Sequence, residues 1–169
     1  MNFEIRLATE SDFKQVGNIF SEENRYHAEL MPEIFQVADP IMTPEWFSGA
    51  LKDPHTALFV AELEAEVVGV ALVELKTNPN DPIFQPRRYV YIEEIAVAAS
   101  HRGRGIGRLL MERIHQWGQE QGIAEIELQV WERNEQAVSF YEKLGYQMWR
   151  RTMRYTIDNQ KQKFDHRRS

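Results

Sequence analysis

Three of the nine glycines fall within five residues, at Gly103, Gly105 and Gly107. They follow the stretch Tyr89–Val97, which reads as a strand, and they open a run with apolar residues at Leu109, Leu110, Ile114 and Trp117, which reads as an amphipathic helix. A strand that turns into a helix here limits the chain to an α/β arrangement. Glycine tolerates positive φ and lets another molecule come close to the backbone. The first N–H groups of a helix have no acceptor within it and carry a partial positive charge. With arginines at 102, 104 and 108, the segment Arg102–Arg108 has the composition of a phosphate cradle.

The rest of the chain agrees with that class. Phe3–Leu7 alternates as a strand. Thr9, three residues before Asp12, is an N-cap signature for a helix with Phe13, Val16, Ile19 and Phe20 on one face. A second helix is expected from Ser21 to Met31, ended by Pro32. Thr43-Pro44-Glu45 predicts a short helix to Leu51. Ala57–Leu63 and Val67–Leu75 read as strands joined in a hairpin at Glu64-Ala65-Glu66. All seven prolines lie between residues 32 and 86, and the stretch 77–87 reads as a long loop. Beyond it the chain is regular: the strand and glycine turn, a helix over about 105–121, a strand over Glu125–Trp131, a helix over about 134–144, then a last strand or hairpin after Gly145.

Composition narrows the function. With 169 residues and 43% hydrophobic content, one domain over residues 1–157 and a polar, basic tail over 158–169 are expected. The absence of cysteine excludes a disulfide framework, a thiolate metal site and a thiol nucleophile. The five histidines show no ligand spacing, so no metal is expected. No apolar run would span a bilayer and no signal-peptide h-region opens the chain, so a cytoplasmic protein without a membrane partner is expected. The net charge of −6 divides unevenly, with +5 over residues 150–169 and −9 over residues 1–66. A net-acidic chain is a poor general binder of nucleic acid, and none is expected as partner. RNA binding by the basic end would be a local exception. The acidic half reads either as solvated helix faces or as a field that draws a cationic substrate.

Two common phosphate patterns fail. No Gly-Lys-Ser/Thr follows the turn. The dinucleotide pattern fails because Arg108 or Leu110 stands where its third glycine belongs. Instead, Arg102-x-x-Gly105-x-Gly107 resembles the Gln/Arg-x-x-Gly-x-Gly/Ala signature of the GNAT N-acetyltransferase superfamily, which cradles the pyrophosphate of acetyl-CoA. Downstream, Asn134-x-x-Ala137-x-x-Phe140-Tyr141-x-x-x-Gly145-Tyr146 is similar to a second segment of that family, with Tyr146 where phenylalanine is commoner. The resemblance is specific over Tyr89–Tyr146.

The resemblance implies a single α/β (α+β) domain. Its sheet would be mixed, mostly antiparallel, of six or seven strands flanked by helices, and splayed between the strands at 89–97 and 125–131 to admit the cofactor. It implies acetyl transfer from acetyl-CoA to an amine by direct attack, without an acyl-enzyme. Cofactor contacts would come from Arg102, Gly103, Arg104, Gly105, Ile106, Gly107 and Arg108, from the backbone of Ile95, Ala96 and Val97, and from Asn134 and Tyr141. Tyr141 would be the general acid for the departing thiolate. The acceptor would be a small amine or a protein amine, and the acidic N-terminal half leans toward a cation such as a polyamine or an aminoglycoside. A homodimer would be in keeping with the family.

The reaction needs a base, because an amine of pKa ~10.4 is only about 0.04% neutral at pH 7. Glu93 is the favoured candidate and Glu94 the reserve. Adjacent strand residues point to opposite faces, so only one of the two is expected at a given site. Asn134 also reads as an N-cap, and Phe140 as core in line with Ala137 and Leu144. By the resemblance, Tyr26 and His27 lie in a region that often lines the acceptor pocket, though helix packing is the first reading for each. Trp46, Phe47, Phe84 and Trp131 read first as core, with the lining of an apolar pocket as the alternative. The alternative function is a non-catalytic acyl-CoA-binding regulatory domain.

Overall fold

The computed structural model describes residues 3–78 and 82–157. The chain divides into two compact units, one ending at Arg133 and one beginning at Asn134. The expected tail at 158–169 lies outside the described residues. No described helix is long and apolar enough to cross a membrane.

In the first unit, β1 (Glu4–Leu7) leads through a short 3-10 turn (Glu10–Asp12) into α1 (Phe13–Leu30). The structure joins the two helices expected here into one, because nothing between Phe20 and Ser21 interrupts the backbone ladder. The start of α1 is anchored to the sheet. Arg6 donates to both carboxylate oxygens of Asp12 at 2.7 and 2.9 Å, and to Glu62 at 2.8 and 2.5 Å. That guanidinium holds the Asp12 carboxyl below its ordinary pKa. After an irregular stretch comes α2 (Pro44–Lys52), whose N-cap Thr43 accepts the Trp46 N–H at 3.2 Å and whose first residue is the proline.

β2 (Thr56–Leu63) and β3 (Glu66–Thr77) form the expected hairpin, with Glu64 and Ala65 at positive φ in the turn. β4 (Arg88–Val97), α3 (Ile106–Glu120) and β5 (Ile126–Leu128) complete the unit. The sheet order is β1-β2-β3-β4-β5, antiparallel except for the β4–β5 pair. Leu58, Val60, Val70 and Leu72 belong to a core with Val16, Ile19, Phe20 and Phe47 of α1 and α2. On β2, Phe59 alternates with these and meets Trp117 of α3 edge-on at 6.3 Å. Because both faces are covered, β2 and β3 are nearly continuous apolar runs rather than alternating ones.

Two features of this sheet prepare the site. The β4–β5 ladder covers only Val90–Ile92 against Ile126–Leu128, while β4 continues to Val97. The strands therefore part where the family resemblance implies a splay. On the other edge of β4, Leu72 pairs with Glu94 and Val73 with Ile92, which leaves Glu93 as the extra residue of a β-bulge.

The strand count departs from expectation. Five strands are present among the described residues instead of six or seven. β5 is three residues long rather than seven, and residues 146–157 form no strand. Alternation in sequence suits a strand but does not make one; a ladder partner is needed as well.

In the second unit, α4 (Glu135–Lys143) is capped by Asn134, whose side chain accepts the Ala137 N–H at 3.2 Å. It ends at Gly145, which has φ +91°, and the Tyr146 N–H returns to the Tyr141 carbonyl at 3.1 Å. This is the glycine stop that the sequence signals.

Candidate functional site

The glycine turn lies where the strand ends and α3 begins. Gly105 is the N-cap of α3, with φ +84°, and Gly103 has φ +75°. No side chain caps this helix. The first ladder bond runs from the Leu109 N–H to the Gly105 carbonyl at 3.1 Å, so the N–H groups of Ile106, Gly107 and Arg108 have no acceptor within the helix. Space beyond Gly103 and Gly105 is open: a Cβ built on either would meet nothing within 4 Å. Conformation, then, rather than crowding within the protein, calls for glycine at these two positions.

Close packing seats the helix on the sheet. A Cβ at Gly69 of β3 would lie 2.9 Å from Ile106 Cγ2 and 3.2 Å from Leu110 Cδ1. Gly69 thereby lets the first turn of α3 rest on β3 and fixes the height of the turn above the strand ends. An anionic group fits this cradle, for the uncapped N–H groups, the helix dipole and Arg108 all present positive potential to open space.

The arginines differ. Arg104 donates to the Ser100 carbonyl at 3.2 Å. Arg102 faces the other way: its Nε donates to the Val97 carbonyl at 3.0 Å, and its Nη2 meets Glu23 of α1 at 3.1 Å. The Arg102 guanidinium also lies 5.4 Å from the Tyr26 ring centre. Alongside, the Ala99 N–H donates to Glu22 at 3.0 Å. The second half of α1 is therefore fastened to the start of the turn. Tyr26, expected to be helix packing, packs on this arginine.

A cleft of about 620 Å³ opens between α1, the segment before α2, and β3–β4. Its lining is apolar at Phe20, Phe35, Ile41, Met42, Trp46 and Leu72 and acidic at Glu23, Glu93 and Glu94. The two kinds are neighbours: Leu72 pairs with Glu94 across the sheet, and Phe20 precedes Glu23 on one face of α1. Both adjacent glutamates reach the cleft, against the expectation that only one would. The bulge is the reason, since an inserted residue breaks the alternation that otherwise sends neighbours to opposite faces.

The two glutamates sit in different surroundings. Glu93 is exposed and paired with Lys76 in a short contact. Lys76 also lies 3.5 Å from Glu74 and 4.1 Å over the Tyr91 ring. Glu94 is half-buried and forms no ion pair among the described residues. Burial first, then the nearby charge of Glu23, pushes its carboxyl up to about 7.

Residues that sequence reasoning passed over shape this cleft. Asn24 donates to the Gln36 carbonyl at 3.2 Å and accepts the Ala38 N–H at 2.9 Å, tying the proline-bounded segment to α1. Phe35 stacks on His27 at 5.2 Å and meets Trp131 edge-on at 5.4 Å. His27 Nε2 lies 3.5 Å from Glu23. A signal was available: Phe20, Glu23, Asn24 and His27 follow at steps of three and four, one face of a helix. Of the four aromatics expected in the core, Phe47 is there, fully buried. Trp46, Phe84 and Trp131 are exposed, and Trp46 stands at the rim of the cleft.

In the second unit, Tyr141 is half-buried, with ring contacts to Phe140 at 5.3 Å and Tyr146 at 5.9 Å. Phe140 is half-buried too rather than a core residue.

The acetyltransferase (GNAT) family profile matches residues 15–146. An uncharacterized N-acetyltransferase of Methanocaldococcus jannaschii is 29% identical over 60% of this chain and 44% of its own length. An L-ornithine N5-acetyltransferase of Arabidopsis thaliana is 30% identical over 59% of this chain and 43% of its own. The chain thus spans under half the length of these curated relatives. Among solved structures, a tetramutant of the BH1408 protein from Bacillus halodurans superposes with a TM-score of 0.86 and 31% identity, over 91% of this chain and 99% of that one. The glycine turn, the splayed strands and these matches agree: the chain belongs to the acetyltransferase (GNAT) family.

Proposed function

We propose that the protein transfers the acetyl group of acetyl-CoA to an amine held in the cleft beside β4, with Glu94 as general base. One observation carries the assignment. Among the described residues Glu94 is the cleft carboxylate without a cation, and burial pushes its carboxyl up to about 7. A base is most effective when its pKa lies near the working pH, because enough of it is then ionised and still able to take a proton. Glu93, the favoured residue on sequence grounds, is held by Lys76, which lowers its use as a base.

When bound, acetyl-CoA supplies an acetyl carbonyl activated by its thioester. The chain's own groups do the rest. Glu94 takes a proton from the amine, freeing the nitrogen lone pair to form the new C–N bond as the C–S bond breaks. The edge of β4 beyond Ile92 has no strand on its β5 side among the described residues, which supports backbone pairing of Ile95, Ala96 and Val97 with the pantetheine arm. The N–H groups of Ile106, Gly107 and Arg108, with Gly103, Arg104 and Gly105, are suited to the pyrophosphate, whereas the Arg102 side chain is engaged by the Val97 carbonyl and Glu23. Tyr141 remains the proposed donor to the departing sulfur and Asn134 a cofactor contact, on the resemblance of their segment. Two protons leave the ammonium in all: the first passes through Glu94 to solvent, and the second, lost from nitrogen once the C–N bond has formed, balances the proton that Tyr141 gives to the departing thiolate.

The test is thiol release from acetyl-CoA across a panel of amines, in the wild type and in Glu94→Gln and Glu93→Gln. Glu94→Gln should lose most turnover and Glu93→Gln much less. The reverse order would return the base role to Glu93. Tight acetyl-CoA binding with no amine turned over would favour the non-catalytic reading.

A further inference from the structure

Resting on that reading, we infer that the acceptor is a primary monoamine on a short chain bearing an apolar, ring-sized group, rather than a polyamine, an aminoglycoside or a protein lysine.

The argument begins with charge. Three carboxylates line the cleft, which by count alone would suit a polycation. Two already have cations supplied by the protein. Glu23 is paired with Arg102 at 3.1 Å and has His27 at 3.5 Å, and Glu93 is paired with Lys76. Among the described residues Glu94 is left as the single carboxylate of the cleft to receive an amine. A second ammonium would have to displace Lys76 or Arg102, and Arg102 is further held by the Val97 carbonyl. One unpaired carboxylate matches one amine.

The remaining surface says what that amine is attached to. Beside the glutamates the cleft is lined by Phe20, Phe35, Ile41, Met42, Trp46 and Leu72. Its other polar side chains are engaged: Asn24 with the Gln36 and Ala38 backbone, Thr43 with the Trp46 N–H, and His27 beside Glu23 and against the Phe35 ring. A polyhydroxylated body placed against the apolar lining would leave hydroxyls without partners, at a cost of ~1–3 kcal/mol for each one buried. An aromatic or branched apolar body would instead displace water from apolar surface. Phe35 is positioned for such a contact, since stacking on His27 and the edge contact with Trp131 hold its ring in place. The volume of about 620 Å³ falls within the ~300–1,000 Å³ usual for small-molecule sites.

The test compares kcat/KM at saturating acetyl-CoA for 2-phenylethylamine, tryptamine, n-butylamine, spermidine, kanamycin and a lysine-containing peptide. Expected is at least a tenfold preference for the two ring-bearing amines over spermidine, kanamycin and the peptide. Trp46→Ala and Phe35→Ala should each raise KM for 2-phenylethylamine about tenfold, the scale of a lost apolar contact, and change KM for n-butylamine by less than about threefold. Trp46 is exposed at the rim, so its removal leaves the core intact. Higher kcat/KM for spermidine, kanamycin or the peptide would overturn the inference while leaving the acetyltransferase reading in place. So would an unchanged KM for 2-phenylethylamine in both variants. Binding of acetyl-CoA with no amine acetylated would sink the underlying reading, and this inference with it.

Discussion

The glycine turn follows the end of β4 and the acidic cleft lies beside that strand, and the two handle charge in opposite ways. The turn keeps its positive potential directed outward. Its N–H groups have no acceptor within the helix, its helix has no side-chain cap, and Arg108 forms no ion pair among the described residues. The cleft does the reverse. Most of its negative charge is met internally, by Lys76 and Arg102, and one carboxylate is held back near neutrality. The contrast suits the two partners proposed. A polyanion that binds and leaves is served by preorganised donors open to solvent. A proton transfer is served by one carboxyl whose charged form is disfavoured by burial.

The strongest way to break the contrast is at Glu94. Glu94→Gln should lower kcat/KM by about 10²–10⁴-fold, the usual contribution of a general base, with acetyl-CoA affinity unchanged by titration calorimetry. The same variant should be more stable than the wild type at pH 8. Because the folded pKa of about 7 lies above the unfolded value near 4.5, the wild type loses stability as pH rises through that window. Removing the ionisation should recover ~1–3 kcal/mol in urea melts at pH 8 and nothing below pH 4. A variant that is inactive and also less stable at pH 8 would mean that Glu94 has been misread.

At the turn, Gly105→Asp adds a side chain at φ +84° and a negative charge at the helix start. Acetyl-CoA affinity should fall by tenfold or more, with Gly105→Ala falling less, because the alanine adds strain but no charge. Equal affinity in wild type and Gly105→Asp would remove the cradle. Tyr141→Phe should lower kcat about tenfold or more while leaving acetyl-CoA affinity nearly intact, as expected for a group that serves the leaving sulfur. Unchanged kcat would take Tyr141 out of the mechanism.

The smallest effect sharpens the link between the two regions. Glu23 joins the cleft to Arg102 of the turn and its charge raises Glu94. In Glu23→Gln the acidic limb of kcat/KM against pH should move to lower pH by a few tenths of a unit to one unit. No shift, or a shift upward, would show that Glu23 and Glu94 do not interact.

The turn was legible because its cause is local. Positive φ needs glycine, the helix that follows announces itself by spacing, and both lie within one short segment. The proline at Pro44 and the glycine at Gly145 signalled element ends for the same reason. The cleft was not legible. Glu93 and Glu94 look equivalent in sequence, and alternation argues that only one faces any site. A bulge decided otherwise, and a bulge depends on the register of β3 against β4 rather than on either strand alone. Trp46 looked like core beside Phe47, yet the first is exposed and the second buried, since a helix turn separates neighbours by about 100°. A last strand or hairpin was expected after Gly145, and the described residues show no strand after β5, because a strand takes a ladder partner that the local sequence cannot supply.

Charge shows the division most plainly. The sequence alone determined that the first 66 residues carry a net −9, that no thiol is available for chemistry, and that a glycine turn with three arginines opens a helix after a strand. The tertiary structure alone decided which of the chain's negative charges are paired, in the first 66 residues and on β4 alike. Lys76 lies 17 residues from Glu93, and Arg102 lies 79 residues from Glu23. Net charge is a sum over the chain, whereas a binding site responds to charges within a few ångströms, where pairing and burial outweigh the total.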